Sequence, residues 1–218
     1  MRGLFWDPGQ GFLLASGGPD LKKPPGANAA HLCVDMQRLF SAEGPWPLAW
    51  MERVLPKVIQ LVESAPNRTI FTRFLTPQSP EDMSGQWSAY YSKWSNVTRE
   101  RLDNRLLNLM RELERHVPPA SVFDKFVYSA FASPELRKFL RRSSVDTLII
   151  SGSETDVCVL STMLAAIDHG YRLVLARDAV CSSSDASHDA IIDLFHRRFE
   201  VQVEVADVAE IIDAWRPE

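Results

Sequence analysis

The sequence lacks the apolar stretch that a membrane-spanning helix requires. No apolar run in it reaches the roughly 18 residues needed to cross a bilayer. The opening stretch, MRGLFWDPGQGFLLASGG, has one arginine and a short apolar patch interrupted by Pro and Gly, which makes a poor secretory signal. A net charge of -4 over 218 residues also argues against nucleic acid or an anionic membrane as the main partner. We therefore expect a soluble protein of the cytoplasm.

Cysteine is scarce and irregularly placed. The three cysteines, Cys33, Cys158 and Cys181, are odd in number, lie far apart and form no CxxC pair. A disulfide framework needs paired cysteines, so this pattern indicates free thiols in a reducing compartment. Cys33 lies inside an apolar segment, where a thiol is expected to be inert, and Cys181 lacks a chemical partner. Cys158 is the cysteine whose surroundings suggest chemistry.

Patterns that bind a metal or a nucleotide are also missing. The five histidines show no metal-ligand spacing; they are His31, His116, His169, His188 and His196. Neither GGPD near the N-terminus nor SGSETD at 151–156 matches a dinucleotide-binding or P-loop motif. We expect no metal and no cofactor.

What the sequence does have is a regular alternation of two hydrophobic patterns. Residues 1–29 are rich in Gly and Pro and predict an irregular lead-in, whereas residues 30–218 predict a single domain. Strand-like apolar runs lie at 31–35, 69–75, 121–127, 147–151, 171–176 and 199–206. Helical spacing of apolar residues occupies 47–64, 98–115, 134–142, 156–169, 185–197 and 207–215. This alternation predicts an α/β fold: a doubly wound, mostly parallel six-stranded sheet with helices on both faces.

Three chemically complementary side chains fall near the predicted carboxyl ends of strands, where ligands bind in such sheets. Asp35 closes the first strand, Lys125 interrupts the apolar third strand, and Cys158 follows the fourth strand where a helix begins. Taken singly, each has an ordinary explanation: a turn aspartate, a lysine that extends to solvent, a small buried cysteine. Together they suit nucleophilic catalysis, because a helix N-terminus and an ammonium favour a thiolate and a carboxylate can carry a proton.

Three segments of the chain resemble the isochorismatase-like cysteine hydrolases. They are VDMQRLF at 34–40, FDKFVYSAF at 123–131 and SGSETDVCVLSTMLAAIDHGYRLVLARDA at 151–179. The third is the most specific, and the resemblance covers about residues 30–212. It implies a Rossmann-like three-layer sandwich and a small-molecule substrate.

The resemblance also implies how the site is built. Its catalytic triad would be Asp35, Lys125 and Cys158. A cis peptide bond would lie at Ser153–Glu154, and the backbone N–H groups of Glu154 and Cys158 would form an oxyanion hole.

Two features narrow the expected reaction. The metal-holding, nicotinamidase-like branch uses histidines after the second strand, whereas residues 73–94 contain none, so we expect a metal-independent enzyme other than a nicotinamidase. Some isochorismate-cleaving members lack the nucleophilic cysteine, and Cys158 is present here. We therefore expect hydrolysis of a C–N bond in a small amide or ureido compound through a thioester. The alternatives are a vinyl-ether hydrolase that uses Asp35 as its acid, and a non-catalytic scaffold on the same fold.

Several aromatic residues carry weaker signals. Phe40 matches a position where family members place an aromatic ring against the substrate, with core packing as the alternative. Trp87, Tyr90, Tyr91 and Trp94 form a stripe at helical spacing. Such a stripe is more typical of a hydrophobic core or a subunit interface, and an interface would make the protein a homo-oligomer. In the alternative, the stripe lines the substrate pocket and Trp87 contacts the substrate.

Glu154 is unusual at an oxyanion-hole position, because its carboxylate would oppose ionisation of a neighbouring thiol. We expect only its backbone N–H to face the substrate, with the carboxylate turned to a hydrogen-bond or arginine partner. The open alternative is a carboxylate that points into the pocket and holds a cationic or amide group of the substrate.

Overall fold

The computed structural model of the protein describes residues 21–215. Residues 1–20, which make up most of the predicted lead-in, and residues 216–218 lie outside the described residues. Residues 21–28 contain no helix or strand. The strands are β1 (Ala29–Val34), β2 (Thr69–Phe74), β3 (Ser121–Lys125), β4 (Thr147–Ser153), β5 (Arg172–Cys181) and β6 (Val203–Ala206).

These strands form one sheet in the order β3-β2-β1-β4-β5-β6, and every neighbouring pair is parallel. The predicted doubly wound α/β fold is confirmed, and the sheet is parallel throughout. Strand order reverses between β1 and β4. In such sheets a ligand crevice forms outside the carboxyl ends of the strands at this switch point.

Two layers of helices cover the sheet. The helices are α1 (Met51–Ser64), α2 (Gln86–Lys93), α3 (Arg111–Glu114), α4 (Pro134–Arg142), α5 (Leu160–Asp168), α6 (Asp185–Arg198) and α7 (Val208–Ala214). Helices α1 and α7 pack on one face with Cys33 and Ile149, while α4, α5 and α6 pack on the other with Leu32 and Ile150. Neighbouring strand residues thus point to opposite faces, as strand geometry requires. No helix within residues 21–215 is long and apolar enough to cross a membrane.

The predicted helix over 98–115 is wrong. The structure has only a 3₁₀ turn and the short α3 there, and the residues between them are extended. Leu109 forms a β-bridge with Gln37, and the Met110 N–H donates to the Met36 carbonyl at 2.9 Å. These long-range bonds occupy backbone groups that a continuous helix would use internally. The segment is held instead against the residues that follow β1.

Candidate active site

Asp35, Lys125 and Cys158 meet beside the switch point between β1 and β4. Asp35 directly follows β1, Lys125 ends β3, and Cys158 lies in a π-helical turn (Thr155–Val159) between β4 and α5. The Nζ of Lys125 lies 2.6 Å from Oδ2 of Asp35 and 3.5 Å from Sγ of Cys158. Cys158 is 6% exposed and the other two residues less. The structure thus brings the three predicted residues together in an almost fully enclosed cluster.

Hydrogen bonds hold Asp35 in an unusual backbone conformation. Its φ of 50° lies in the left-handed region, which is unfavourable for a residue with a side chain. The Thr72 hydroxyl accepts from the Asp35 N–H at 3.2 Å and donates to Oδ1 at 2.7 Å. The Ser153 hydroxyl donates to the Asp35 carbonyl at 3.1 Å. The surrounding strands therefore fix the carboxylate that faces Lys125.

The close approach of β1 and β4 beneath the site requires a glycine. Gly152 has a φ of 110°, and a Cβ atom there would lie 2.0 Å from the Val34 carbonyl oxygen. Any side chain at this position would push the two strands apart. It would also separate Ser153 from Asp35, which are hydrogen-bonded next to this contact.

Gln37 positions the loop beside Asp35, although the sequence assigns it no role beyond its place in the motif. It is fully buried. Its Oε1 accepts from the Phe74 N–H at 2.7 Å, while its Nε2 donates to the carbonyls of Phe74 at 3.1 Å and Leu107 at 2.7 Å. Gln37 therefore joins the end of β1 to the end of β2 and to the 3₁₀ turn that ends at Leu107. A polar residue two positions after a buried strand aspartate is the signal that marks it.

The charge of Lys125 is stabilised by its partners in the cluster. Burial by itself lowers the pKa of Lys125, but the Asp35 carboxylate and the Cys158 sulfur outweigh burial and raise it above its ordinary value. The ammonium also donates to the Val127 carbonyl at 3.2 Å. Lys125 is therefore positively charged at neutral pH and lies beside the sulfur.

The surroundings of Cys158 act on its ionisation in opposite directions. Burial raises the pKa of Cys158 well above its ordinary value, and the Asp35 carboxylate raises it further. The Lys125 ammonium lowers this pKa without offsetting the other two effects. Desolvation of the sulfur thus opposes the thiolate that the sequence predicts, and the Lys125 ammonium favours it.

The turn that carries Cys158 is tied to the segment after β5. The Thr155 hydroxyl hydrogen-bonds the His188 ring at 2.9 Å, and the Ser182 hydroxyl donates to the Asp156 carboxylate. This segment reaches the site because β5 extends to Cys181, beyond the predicted end at residue 176. These contacts fix the turn from the side opposite β1.

Glu154 follows β4, and its peptide bond to Ser153 is cis. Its half-buried carboxylate accepts a hydrogen bond from the Ser183 hydroxyl at 3.2 Å. Burial, followed by the charge of Asp156, raises the pKa of Glu154. Within residues 21–215 this hydroxyl is its bonding partner, and no lysine or arginine forms an ion pair with it.

The aromatic residues form a cluster between the core and the site. Phe40 is buried, with its ring stacked on Trp46 at a centroid distance of 6.2 Å, so it packs in the core. Trp87 is half-buried, with its ring centroid 4.8 Å from Tyr128 and 5.5 Å from Tyr90. Tyr91 is fully buried, and its hydroxyl has no hydrogen-bond partner within the described chain.

The hydroxyl groups of Tyr90 and Tyr128 interact electrostatically with residues of the site. Burial is the main cause that raises the pKa of Tyr90 to about 12, followed by Tyr128, Glu154 and Cys158. Burial also raises the pKa of Tyr128, with Cys158 and Glu154 adding to it. Both hydroxyls are therefore protonated donors at neutral pH. The sequence offers one signal for Tyr128, a polar aromatic residue three positions after Lys125.

The other two thiols, Cys33 and Cys181, are also buried. Burial is the main cause that raises the pKa of both Cys33 and Cys181 to about 12. Within residues 21–215 no three His, Cys, Asp or Glu side chains are grouped so that they could hold one metal ion.

Comparison with known proteins identifies the family. The Isochorismatase domain family matches residues 29–208. The uncharacterised isochorismatase family protein YwoC of Bacillus subtilis is 34% identical over 180 residues, which are 75% of this chain and 82% of that protein. Nicotinamidase 3 of Arabidopsis thaliana is 28% identical over 167 residues, 75% of this chain and 78% of its own length. PncA, an uncharacterised isochorismatase family protein of Bacillus subtilis, is 34% identical over 102 residues, 47% of this chain, and the match spans 55% of its length.

Solved structures share the fold. A cysteine hydrolase from Pseudomonas syringae pv. phaseolicola 1448A superposes with a TM-score of 0.76 at 20% sequence identity, covering 89% of this chain and 98% of that one. Because the family match extends over most of the chain, the resemblance predicted from three short motifs is confirmed. The chain belongs to the isochorismatase-like superfamily of hydrolases.

Proposed function

We propose that the protein is a cysteine-dependent hydrolase that cleaves a C–N bond in a small amide or ureido compound. The observation that carries this proposal is the enclosed cluster in which the Lys125 ammonium lies 2.6 Å from the Asp35 carboxylate and 3.5 Å from the Cys158 sulfur. A nucleophile, a proton carrier and a fixed cation are the parts that acyl transfer through a thiol requires. The similarity to nicotinamidase 3 supports the class of bond, and the absence of histidine in residues 73–94 argues against the same substrate.

The first step begins from the protonated thiol. Asp35 takes the proton of Cys158 while the sulfur attacks the substrate carbonyl, so a C–S bond forms and the carbonyl oxygen becomes an oxyanion. The Lys125 ammonium stabilises the negative charge that develops on the sulfur. Transfer of the proton during attack removes the need for a stable thiolate, which the buried site disfavours.

Backbone N–H groups stabilise the oxyanion. We assign this role to the amides of Glu154, which directly precedes the turn after β4, and of Cys158, which lies within that turn. Donors preorganised toward the developing charge contribute about 3 to 4 kcal/mol each in comparable hydrolases. The intermediate collapses when the C–N bond breaks and protonated Asp35 returns its proton to the leaving nitrogen.

The second half of the cycle hydrolyses the thioester. Asp35, again a carboxylate, takes a proton from water as the water oxygen attacks the acyl carbon. The C–S bond then breaks, the sulfur leaves beside Lys125, and Asp35 returns the proton to Cys158. The products are the carboxylic or carbamic acid and the amine or ammonia released in the first half.

A panel of small amides and ureido compounds, assayed for ammonia release, tests the proposal. Cys158→Ala should lose about a thousandfold or more in turnover with an unchanged melting temperature, because thiol to methyl removes little volume. Cys181→Ala is the matched control, a buried thiol outside the cluster, and should retain turnover. Acid quenching during turnover should trap an acyl adduct on Cys158. Full ammonia release by Cys158→Ala would reject the thioester. Absence of ammonia release by the wild type, with cleavage of isochorismate that survives Cys158→Ala, would favour a vinyl-ether hydrolase.

A further inference from the structure

Lys125 and Cys158 meet although the strands that carry them are not neighbours. Lys125 ends the edge strand β3, whereas Cys158 follows β4, and β2 and β1 lie between these two strands. Neighbouring strands are about 4.8 Å apart, so β3 and β4 are separated by about 14 Å across the sheet. The 3.5 Å contact between the Lys125 Nζ and the Cys158 sulfur therefore depends on the segments that follow the two strands.

The segment after β3 extends to the helix that follows Cys158. It forms a 3₁₀ turn that begins at Ala130, and the Ala130 N–H donates a hydrogen bond to the Thr162 hydroxyl at 3.0 Å. Thr162 lies on the first turn of α5, four residues after Cys158. Ala130 and Thr162 are both fully buried, so this bond is shielded from water. Beside the other end of α5, the Phe131 ring stacks on His169 at a centroid distance of 5.2 Å.

The same segment also contacts the lysine. The Lys125 ammonium donates to the Val127 carbonyl at 3.2 Å and lies 3.5 Å from the Cys158 sulfur. Val127 comes three residues before Ala130. The bond between Ala130 and Thr162 therefore completes a closed circuit of contacts, which starts at the sulfur, follows α5, crosses to the segment after β3 and returns through the ammonium.

We propose that Thr162 is a positioning residue of the active site, whose hydroxyl sets the distance between the Lys125 ammonium and the Cys158 sulfur. Without this hydroxyl the buried Ala130 N–H loses its acceptor, and the segment must move to satisfy it. The ring contact at the other end of α5 keeps the segment folded, so it shifts and takes the ammonium with it. This inference rests on the proposed hydrolase function and adds to it what holds the cation beside the nucleophile.

Alkylation of Cys158 by iodoacetamide, followed by peptide mass mapping, tests the inference without a substrate. Thr162→Val keeps the shape of the side chain but removes the hydroxyl, and it should slow alkylation at pH 7.5 by about tenfold. At an effective dielectric constant of about 20, an ammonium that lies about 1.5 Å farther from the sulfur changes the thiolate fraction by about this factor. Thr162→Ser keeps the hydroxyl and should retain the wild-type rate.

A double-mutant cycle shows whether Thr162 acts through Lys125. The ammonium is absent from Lys125→Met, so adding Thr162→Val to that variant should leave its alkylation rate unchanged. Thr69→Val is the matched control, because it removes another buried hydroxyl, which donates to the Ala65 carbonyl at 3.0 Å at the amino end of β2. Both valine variants should lower the melting temperature by several degrees, but Thr69→Val should keep the wild-type alkylation rate.

Three results would overturn the inference: an unchanged or faster rate in Thr162→Val, an equal decrease when it is added to Lys125→Met, and an equal decrease in Thr69→Val. The cycle gives its answer whether or not any amide is hydrolysed, so failure of the hydrolase proposal is distinguishable from failure of this one. If a compound of the panel is hydrolysed, Thr162→Val should lower its kcat by about tenfold with KM unchanged.

Discussion

Replacing Lys125 with methionine tests the electrostatics of the cluster most directly. Methionine keeps an unbranched side chain of similar length but removes the ammonium. The Asp35 carboxylate, which is fully buried, then loses the cation 2.6 Å away. Breaking one side of a buried ion pair costs about 3 to 5 kcal/mol, because the remaining charge is uncompensated. We expect the free energy of unfolding, measured by urea denaturation at pH 7.5, to fall by that amount.

The same substitution should slow the reactions of the Cys158 thiol. At an effective dielectric constant of about 20, two unit charges 3.5 Å apart interact by about 5 kcal/mol. Even a quarter of this energy corresponds to about one pKa unit, so the thiolate fraction falls about tenfold or more. The rate of Cys158 alkylation by iodoacetamide, followed by peptide mass mapping, should fall with it.

Two comparisons show whether the reasoning holds. Lys138→Met makes the same chemical change at an exposed position of α4 and should alter neither the stability nor the alkylation rate. Asp35→Asn/Lys125→Met removes both charges and should recover most of the lost stability while remaining inactive. Wild-type unfolding and alkylation in Lys125→Met would refute the argument, since they would show that the ammonium acts on neither Asp35 nor Cys158.

Two further predictions concern pH and metal. Burial lowers the pKa of fully buried His31 from 6.5 to about 3. Between these two pH values the imidazole is protonated in the unfolded chain but neutral in the folded protein. The free energy of unfolding should therefore decrease as pH falls from about 6.5 toward 3, by about 2 kcal/mol between pH 7.5 and pH 5. Urea denaturation at several pH values measures this decrease, which should be absent in His31→Gln. Identical pH profiles of the wild type and His31→Gln would contradict the prediction. Turnover should be unchanged by exhaustive treatment with EDTA, since residues 73–94 contain no histidine. Loss of turnover that zinc or iron restores would show that the protein belongs to the metal-holding branch of the family.

Local signals were sufficient for several elements of the fold. The helix predicted over 134–142 is α4 at those same residues. Pro134 occupies its first turn, and the Ser133 hydroxyl accepts from the Leu136 N–H at 3.4 Å. Both signals act within one turn of the helix start and are legible in the sequence. The alternation of strand and helix patterns likewise depends on residues close in sequence, so it predicted the α/β class.

The topology of the sheet explains why the three residues of the site could be predicted to lie together. Parallel strands place their carboxyl ends at one edge, so Asp35, Lys125 and Cys158 could be expected to lie near one another despite their separation in sequence. The family motifs added the identity of the group. Neither source contains distances, and the 2.6 Å and 3.5 Å contacts at Lys125 come from the folded structure.

Periodicity and short motifs in the sequence were enough to predict the class of fold, the family and the three residues of the cluster. The folded structure was needed to show that residues 108–110 are extended, that burial opposes ionisation of Cys158, and that the Glu154 carboxylate accepts a hydrogen bond from Ser183. The partners of a backbone group, the burial of a side chain and the electrostatic potential at an ionisable group all depend on contributions from segments that are distant in sequence. Local propensity and motif spacing do not contain those contributions, so the effects on the ionisation of the site residues follow only when the chain is folded.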